Sequence, residues 1–537
     1  MKAGIKNISV NLSLLFLSVF LFCFSNPNLL VKTGFALAGY FIYFPLLVLI
    51  RKNGFLKSIL YGGLFGSFSY MFYAYWLSKY HFITLILVCI LYFILCGILF
   101  FFLKLSVILF KENEVLIQLT QLLVIASFEY LKTKGFLGFS YGVSAYTQWK
   151  FLPFIQGASI GGVFALNLLV IYPSVWLSSS FFMPVRKNMK ALSLWTFLFL
   201  VNIIFGIVTI KKSEKYTASS KSVKILAVQN NESPWKNGIE EHKKNVSNLM
   251  KITDQAINTC ENIDFVVWPE TAVAPSVIYN FYSMKDMQRL QLVLNLLNYI
   301  NDKSQIFVIG NAHEELSEEG KKIFNNSLVF EPGDNVIPPE PGMYTKIHLV
   351  PLSESFPYKK ILPHIYNLLL KGNTHFWEKG QDYRVFTRRG LSFSTPICFE
   401  DTFGDDCRRF VKNGARCFIN LSNDSWSESL VCQNQHLAMS VFRSAENRVP
   451  AVRSTSSGQT CIINSCGRVV ECAEAFCESF AVGDIPVFGK DFKPSLYTKF
   501  GDYAGIIESL FAAGLLIIRG IICIISKKNR GGHGRKK

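Results

Sequence analysis

The sequence predicts a two-part architecture. One part is a multi-span α-helical membrane domain of about eight transmembrane helices. The other is a layered α/β domain inserted ahead of the last span. Three observations carry this. Half of the 537 residues are hydrophobic and 15% are aromatic, with a mean hydropathy of +0.29, more apolar than an ordinary soluble chain. Apolar stretches of about 20 residues, the length that crosses a bilayer core of about 30 Å, recur through residues 1–210. Between 223 and 490 the pattern changes to short apolar runs alternating with helical segments, as in a layered α/β fold.

The first span covers residues 8–25. Lys2 and Lys6 precede it, but Cys23-Phe24-Ser25-Asn26-Pro27 is a poor small-residue cleavage site, so the segment reads as a retained helix rather than a cleaved leader. Further spans are expected at about 30–50, 58–78, 82–103, 115–131, 159–181 and 191–210, and a lone one at about 505–526, before a basic tail at 527–537. Loops with Arg51, Lys52 and Lys57, with Lys104 and Lys111, and with Arg186, Lys187 and Lys190 alternate as cytoplasmic loops do. This puts both ends in the cytoplasm and the inserted domain outside it. Lys132 and Lys134 run against the scheme, as do Lys211, Lys212 and Lys215; the latter three precede a large domain, where charge bias is a poor guide. The net charge of +18 is therefore mostly a topology signal. No basic patch interleaved with aromatics suggests a nucleic-acid partner.

After a short linker at 217–222, apolar runs at 223–229, 265–268, 305–310, 327–330, 393–398 and 417–421 read as buried strands. Helical patterns occupy 243–258, 287–297 and 436–447. The segment is long enough for one domain with a sizeable core. Three chemically useful residues fall at the ends of short apolar runs, where catalytic groups gather. Glu270 follows Trp268-Pro269, Lys346 follows Tyr344-Thr345, and Cys398 follows Pro396-Ile397. Each alone is ordinary: a loop glutamate, a surface lysine, a core cysteine. Together they make a kit for acyl transfer through a thioester, with a base for the thiol, a nucleophile and a cation for the oxyanion. His348 would share the strand face of Lys346, or be a packed histidine.

The order Glu270, Lys346, Cys398 resembles the nitrilase superfamily. Longer motifs resemble its integral-membrane branch, the apolipoprotein N-acyltransferases, over essentially the whole chain. They are Trp268-Pro269-Glu270-Thr271, Lys346-Ile347-His348-Leu349-Val350-Pro351-Leu352-Ser353-Glu354, Ile397-Cys398-Phe399-Glu400, Ser422-Asn423-Asp424-Ser425-Trp426, and Gln435-His436 followed by Arg443 and Glu446. The resemblance implies a nitrilase-like (CN hydrolase) α-β-β-α sandwich at 223–490. It implies Glu270 as general base, Lys346 and the Phe399 backbone N–H as oxyanion hole, and Cys398 as the acylated nucleophile. Glu354 would hold Lys346 or relay protons, and Glu400 and Trp235 would support the site or line it. The implied reaction moves an acyl chain from a phospholipid to Cys398, then to the α-amine of a diacylglyceryl-cysteine apolipoprotein, with ping-pong kinetics. This is the final step of bacterial lipoprotein maturation, on the periplasmic side of the inner membrane, by a monomer. No cofactor is implied, and neither zinc-ligand spacing nor a P-loop occurs in the sequence.

Two departures from the family pattern are Phe399, where tyrosine is common, and Ser427-Glu428, where an aromatic and glycine are usual. Other enzymes could use the same kit, above all a membrane-anchored amidase. A transporter with a polar binding module is disfavoured by the scarcity of ionisable residues in the spans, and an inactive scaffold by the intact kit. Aromatics at 139–141 and 146–149 are expected near the outer interface, as anchors or at an acyl entrance. Glu129, near a span end, is a functional residue or reaches the headgroups. A disulfide is expected among Cys461, Cys466, Cys472 and Cys477.

Overall fold

The computed structural model describes residues 2–232, 237–318, 320–370, 376–489 and 491–533. Trp235 lies outside the described residues. The chain forms two compact units, Met1–Val208 with Asp502–Lys537, and Thr209–Gly501.

In the first unit and the helix that leaves it, six helices among the described residues are long and apolar enough to cross a membrane. They are Asn7–Ser25, Phe82–Leu109, Glu114–Leu131, Ala158–Ser180, Asn188–Ser219 and Tyr503–Ser526. Two expected spans take other forms. The stretch at 30–50 is broken into Ala36–Gly39 and Phe44–Lys52, because Pro45 lacks an N–H and starts a new helix. The stretch at 58–78 is one helix, Phe55–Tyr73, whose glycines, serines and tyrosines dilute its apolarity. Those small residues serve packing instead: a Cβ at Gly66 would sit 2.1 Å from the Tyr92 carbonyl oxygen, so glycine lets Phe82–Leu109 pack directly on this helix. Tyr141, Tyr146 and Trp149 are buried inside the unit, and the Trp149 Nε1–H donates to the Thr33 carbonyl at 2.9 Å; they are packing residues rather than interfacial anchors. Glu129 is also fully buried. It accepts from the Tyr43 hydroxyl at 2.6 Å and the Ser144 N–H at 2.7 Å, so it fastens the 144–148 turn and does not reach headgroups.

Among the described residues the second unit has twelve strands: β1 Ser222–Gln229, β2 Phe265–Val267, β3 Ile306–Ser317, β4 Gly320–Phe330, β5 Gly342–Thr345, β6 Phe386–Arg388, β7 Leu391–Phe393, β8 Phe418–Ser422, β9 Ala451–Thr455, β10 Cys461–Ile463, β11 Val469–Cys472 and β12 Ser479–Pro486. A six-stranded mixed sheet runs β12-β1-β2-β3-β4-β5 and a four-stranded one runs β11-β10-β9-β8. Pairs β1/β2, β2/β3 and β8/β9 are parallel. The sheets face each other: the Ser454 hydroxyl on β9 reaches the Val228 carbonyl of β1 at 2.7 Å and the Val267 carbonyl of β2 at 3.1 Å.

Helices cover both outer faces. Leu249 and Ile252 from Ile239–Thr259, with Val293 and Leu296 from Met287–Asn301, pack on Val266, Phe307 and Ile309. The Trp268 Nε1–H spends its proton on the Thr253 hydroxyl at 3.0 Å, so a polar atom enters this core satisfied. On the other face Ser440 of helix Leu430–Asn447 accepts from Arg453 on β9 at 2.9 Å. The result is an α-β-β-α sandwich. The expected strand at 393–398 ends early: β7 stops at Phe393, and residues Ser394 and Ile397 touch β8 only through isolated bridges to Phe418 and Leu421. That loosened segment leads into the turn bearing Cys398.

Candidate active site

The candidate residues stand where strands of the first sheet end. Glu270 follows β2 after Trp268-Pro269, and Lys346 follows β5 directly. Gly310 on β3 makes room for the Glu270 loop, since a Cβ there would lie 2.3 Å from the Pro269 carbonyl oxygen and 2.5 Å from the Thr271 nitrogen. Lys346 is fully buried, and its ammonium bridges two carboxylates, Glu270 Oε1 at 3.1 Å and Glu354 Oε1 at 2.9 Å. Glu270 also accepts from the Asn325 amide at 2.8 Å, and Glu354 from the Val350 N–H at 2.9 Å.

Cys398 is half-buried and opens a short 3₁₀ turn, Cys398–Thr402, with φ +49°. A β-carbon in this left-handed region costs on the order of 1–2 kcal/mol, so the surroundings must hold it there. Asn420 on β8 contributes, donating to the Pro396 carbonyl at 3.1 Å and the Cys398 carbonyl at 3.4 Å. Cys398 lies close enough to Glu270 and Lys346 for both to bias its ionisation. Burial raises the thiol well above its usual range, the Glu270 charge raises it further, and Lys346 opposes them. Burial likewise raises Glu270, against the pull of Lys346. Burial works against the Lys346 charge, but Glu270 and Glu354 outweigh it and hold the ammonium well above the usual lysine range. At neutral pH the arrangement is a protonated thiol, a base with enhanced proton affinity and a permanent cation.

Glu400 joins the two halves of the site. Its Oε1 accepts from the Tyr344 hydroxyl at 2.8 Å and the N–H groups of Ile347 at 2.7 Å and His348 at 3.0 Å; its Oε2 accepts from the Ile397 N–H at 2.7 Å. One carboxylate thus ties the chain after Lys346 to the chain before Cys398. Burial raises its carboxyl, and the N–H donors of Ile397 and His348 oppose this. Glu400→Gln leaves the Ile397 N–H facing an amide that cannot accept in the same way. The expected result is a loss of about 1–3 kcal/mol of stability, read as a lower Tm in detergent, together with reduced turnover.

Phe399 is buried, edge-on to Phe403 at 4.9 Å and to His348 at 5.9 Å. His348 proves a packed histidine: it stacks on Phe403 at 3.7 Å and pairs through Nδ1 with Asp406 at 3.0 Å. Glu428 has φ +44°, so the position where the family usually carries glycine here holds a side chain in a left-handed conformation.

The structure therefore brings Glu270, Lys346, Glu354, Cys398 and Glu400 together. Sequence reasoning missed Asn325, whose only local signal is a polar pair, Asn325-Asn326, in an otherwise buried strand. It also assigned no role to Asp401 and Arg453, which meet Asp424 and His436 behind the Cys398 turn. The expected disulfide is not formed among the described residues. Cys461 stands opposite Cys472 across β10 and β11, but the Cys472 thiol points to the Gln459 side-chain oxygen at 3.5 Å and the Ala473 carbonyl at 3.5 Å.

Residues 226–487 match the carbon-nitrogen hydrolase family, and residues 18–176 match the apolipoprotein N-acyltransferase N-terminal domain. The chain is 35% identical over 549 residues to apolipoprotein N-acyltransferase 1 of Treponema denticola, covering 98% of each chain. It is 38% identical over 533 residues to apolipoprotein N-acyltransferase 1 of Treponema pallidum, covering 96% of each. Identity to the apolipoprotein N-acyltransferase of Borreliella burgdorferi is 28% over 493 residues, covering 89% of each. Matched along nearly its full length, spanning helices and inserted sandwich alike, the chain belongs to the apolipoprotein N-acyltransferase family.

Proposed function

We propose that this chain transfers a fatty acyl group from a phospholipid, through a thioester on Cys398, to the N-terminal amine of a diacylglyceryl-cysteine apolipoprotein. The observation that carries the reading is the fully buried Lys346 held between Glu270 and Glu354 beside Cys398. Glu270 takes the Sγ proton and the thiolate attacks the ester carbonyl. The Lys346 ammonium, with the Phe399 N–H, stabilises the oxyanion. The C–O bond breaks, and the departing lysophospholipid alkoxide takes the proton back from Glu270, leaving the thioester. The acceptor amine then attacks the same carbonyl and passes a proton to Glu270. The C–S bond breaks, and Glu270 returns the proton to sulfur. An amide is formed and the enzyme is regenerated, which makes the kinetics ping-pong. Glu354 fixes Lys346, and Glu400 fixes the turn.

The protein is read as a multi-pass inner-membrane enzyme that acts as a monomer; the apolar helices support the membrane part of that reading. The lysine and arginine pattern favours cytoplasmic ends, the tail 527–537 included, and a periplasmic catalytic domain. In the eight-span reading, Phe55–Tyr73 and the broken 36–52 segment complete the bundle.

An amidase with the same residues would hand the acyl group to water. The two readings separate when enzyme and phospholipid are mixed without acceptor. An acyltransferase releases a burst of one lysophospholipid per enzyme and stops until apolipoprotein or a lipidated peptide amine is added. Continuous release without acceptor would support a hydrolase instead.

A further inference from the structure

Behind the nucleophile turn lies a cluster of four charged side chains, all buried: Asp401, Asp424, His436 and Arg453. His436, on helix Leu430–Asn447, bridges two carboxylates. Its Nδ1 lies 3.0 Å from Asp424 Oδ2 and its Nε2 lies 2.7 Å from Asp401 Oδ1. Asp401 sits in the same 3₁₀ turn as Cys398, and its second oxygen accepts from the Ser440 hydroxyl at 2.8 Å and from Arg453. Two ring nitrogens facing two carboxylates require both to donate, which is the imidazolium. With two carboxylates, one imidazolium and one guanidinium the cluster is neutral. Burying four charges is favourable only when each is paired this closely.

The placement gives the cluster a purpose beyond packing. Cys398 has φ +49°, a conformation its β-carbon resists. Glu400 and Asn420 restrain the turn at the backbone before and at Cys398. Asp401 restrains it on the far side, and two separate elements grip Asp401: the helix through His436 and Ser440, and β9 through Arg453, while Asp424, in the loop after β8, holds the other nitrogen of His436. We propose that His436 is a positioning residue: clamped between Asp424 and Asp401, it holds the Cys398 turn so that the thiol stays aligned with Glu270 and Lys346. This rests on Cys398 being the acylated nucleophile. His436 touches neither substrate nor the reacting atoms in this role; it acts through Asp401.

The charged groups that face His436 are Asp401 from the turn, Asp424 from the loop and Arg453 from β9; on its own helix Cys432 faces Asp424. Burial disfavours the imidazolium, but the two aspartates outweigh it and push the ring up to about 9. The clamp is therefore complete at neutral pH and opens as pH rises through that value. Acylation of Cys398 should show an alkaline limb there, although more thiolate is available at higher pH.

The experiment is single-turnover thioester formation by the full-length enzyme in phospholipid micelles, followed by intact mass from pH 6 to 10.5. Wild type runs beside His436→Gln and Asp424→Asn, at a temperature where circular dichroism shows the proteins tested to be folded. For His436→Gln the expected result is at least a 20-fold slower acylation rate with the phospholipid concentration for half-maximal rate within twofold. Asp424→Asn removes one of the two charges that keep the ring protonated. Its alkaline limb should move down by at least one pH unit, and this reads out the clamp even if His436→Gln does not fold. A residue that only stabilises the fold would lower Tm and leave both the folded-state rate and the limb where they are. An acylation rate within threefold of wild type in His436→Gln, or an unmoved limb in Asp424→Asn, overturns the proposal. Wild type that forms no thioester in the same assay overturns the nucleophile reading, and the clamp with it.

Discussion

Glu270→Gln is expected to lower the acylation rate by about 10²–10⁴-fold, the usual contribution of a positioned general base. The substitution is nearly isosteric and keeps an oxygen for the Asn325 amide, now at 2.8 Å. What it removes is the proton acceptor. Burial and the glutamate charge hold the Cys398 thiol well above its usual range, so very little thiolate exists at neutral pH without help. The sign follows directly. In the variant the residual rate should rise with pH as thiolate accumulates, up to the alkaline limb near pH 9 where the His436 clamp opens, whereas wild type, with Glu270 as base, should be active at neutral pH. The rate of lysophospholipid release against pH checks this. A variant within tenfold of wild type at neutral pH would mean that Glu270 is not the base.

Lys346→Met combines two losses. The cation for the oxyanion disappears, worth about 10²–10³-fold in turnover. The fold also suffers, because Glu270 and Glu354 both lean on this one buried ammonium at 3.1 and 2.9 Å. Removing one partner from a buried ionic group while the others remain typically costs about 3–5 kcal/mol. A clear drop in Tm is expected. The double variant Lys346→Met with Glu354→Gln separates the effects: it should recover part of the Tm, since one stranded carboxylate is gone, and none of the turnover. Recovery of turnover in the double variant would show that the lysine matters only as a counter-ion.

The candidate site's Glu270, Lys346 and Cys398 stand out in the sequence because each ends a short apolar run with its own flanking pattern. Their partners stand out less. Asn325 reaches Glu270 from 55 positions away, and Arg453 reaches Asp401 from 52. Such meetings are made by strand order, which no local window contains. The buried charges were hidden for a related reason. Asp401, Asp424 and Arg453 look like solvated loop or strand-end residues until their neutralising partners are seen.

In the fold, the α/β layering could be read from alternating strand and helix patterns, and the longest apolar helices from length alone. The break near Pro45 could not, because apolar composition continues through it, whereas β7 ends at Phe393, where Ser394-Thr395-Pro396 interrupts the apolar run. Hydropathy measures what a segment is made of; backbone hydrogen-bonding decides whether it runs on. The aromatic residues at 141, 146 and 149 illustrate the same limit. Membrane-interface preference predicts where such side chains prefer to lie, yet here the unit packs them inside.

The central claim is that Cys398 carries the acyl group. Intact-mass analysis of purified protein in phospholipid-containing detergent tests it most directly, wild type beside Cys398→Ala. The account predicts that wild type gains the mass of one fatty acyl group, that hydroxylamine removes it, and that Cys398→Ala never acquires it. A folded, reduced wild-type protein without the adduct, or a Cys398→Ala protein that still carries it, would contradict the account.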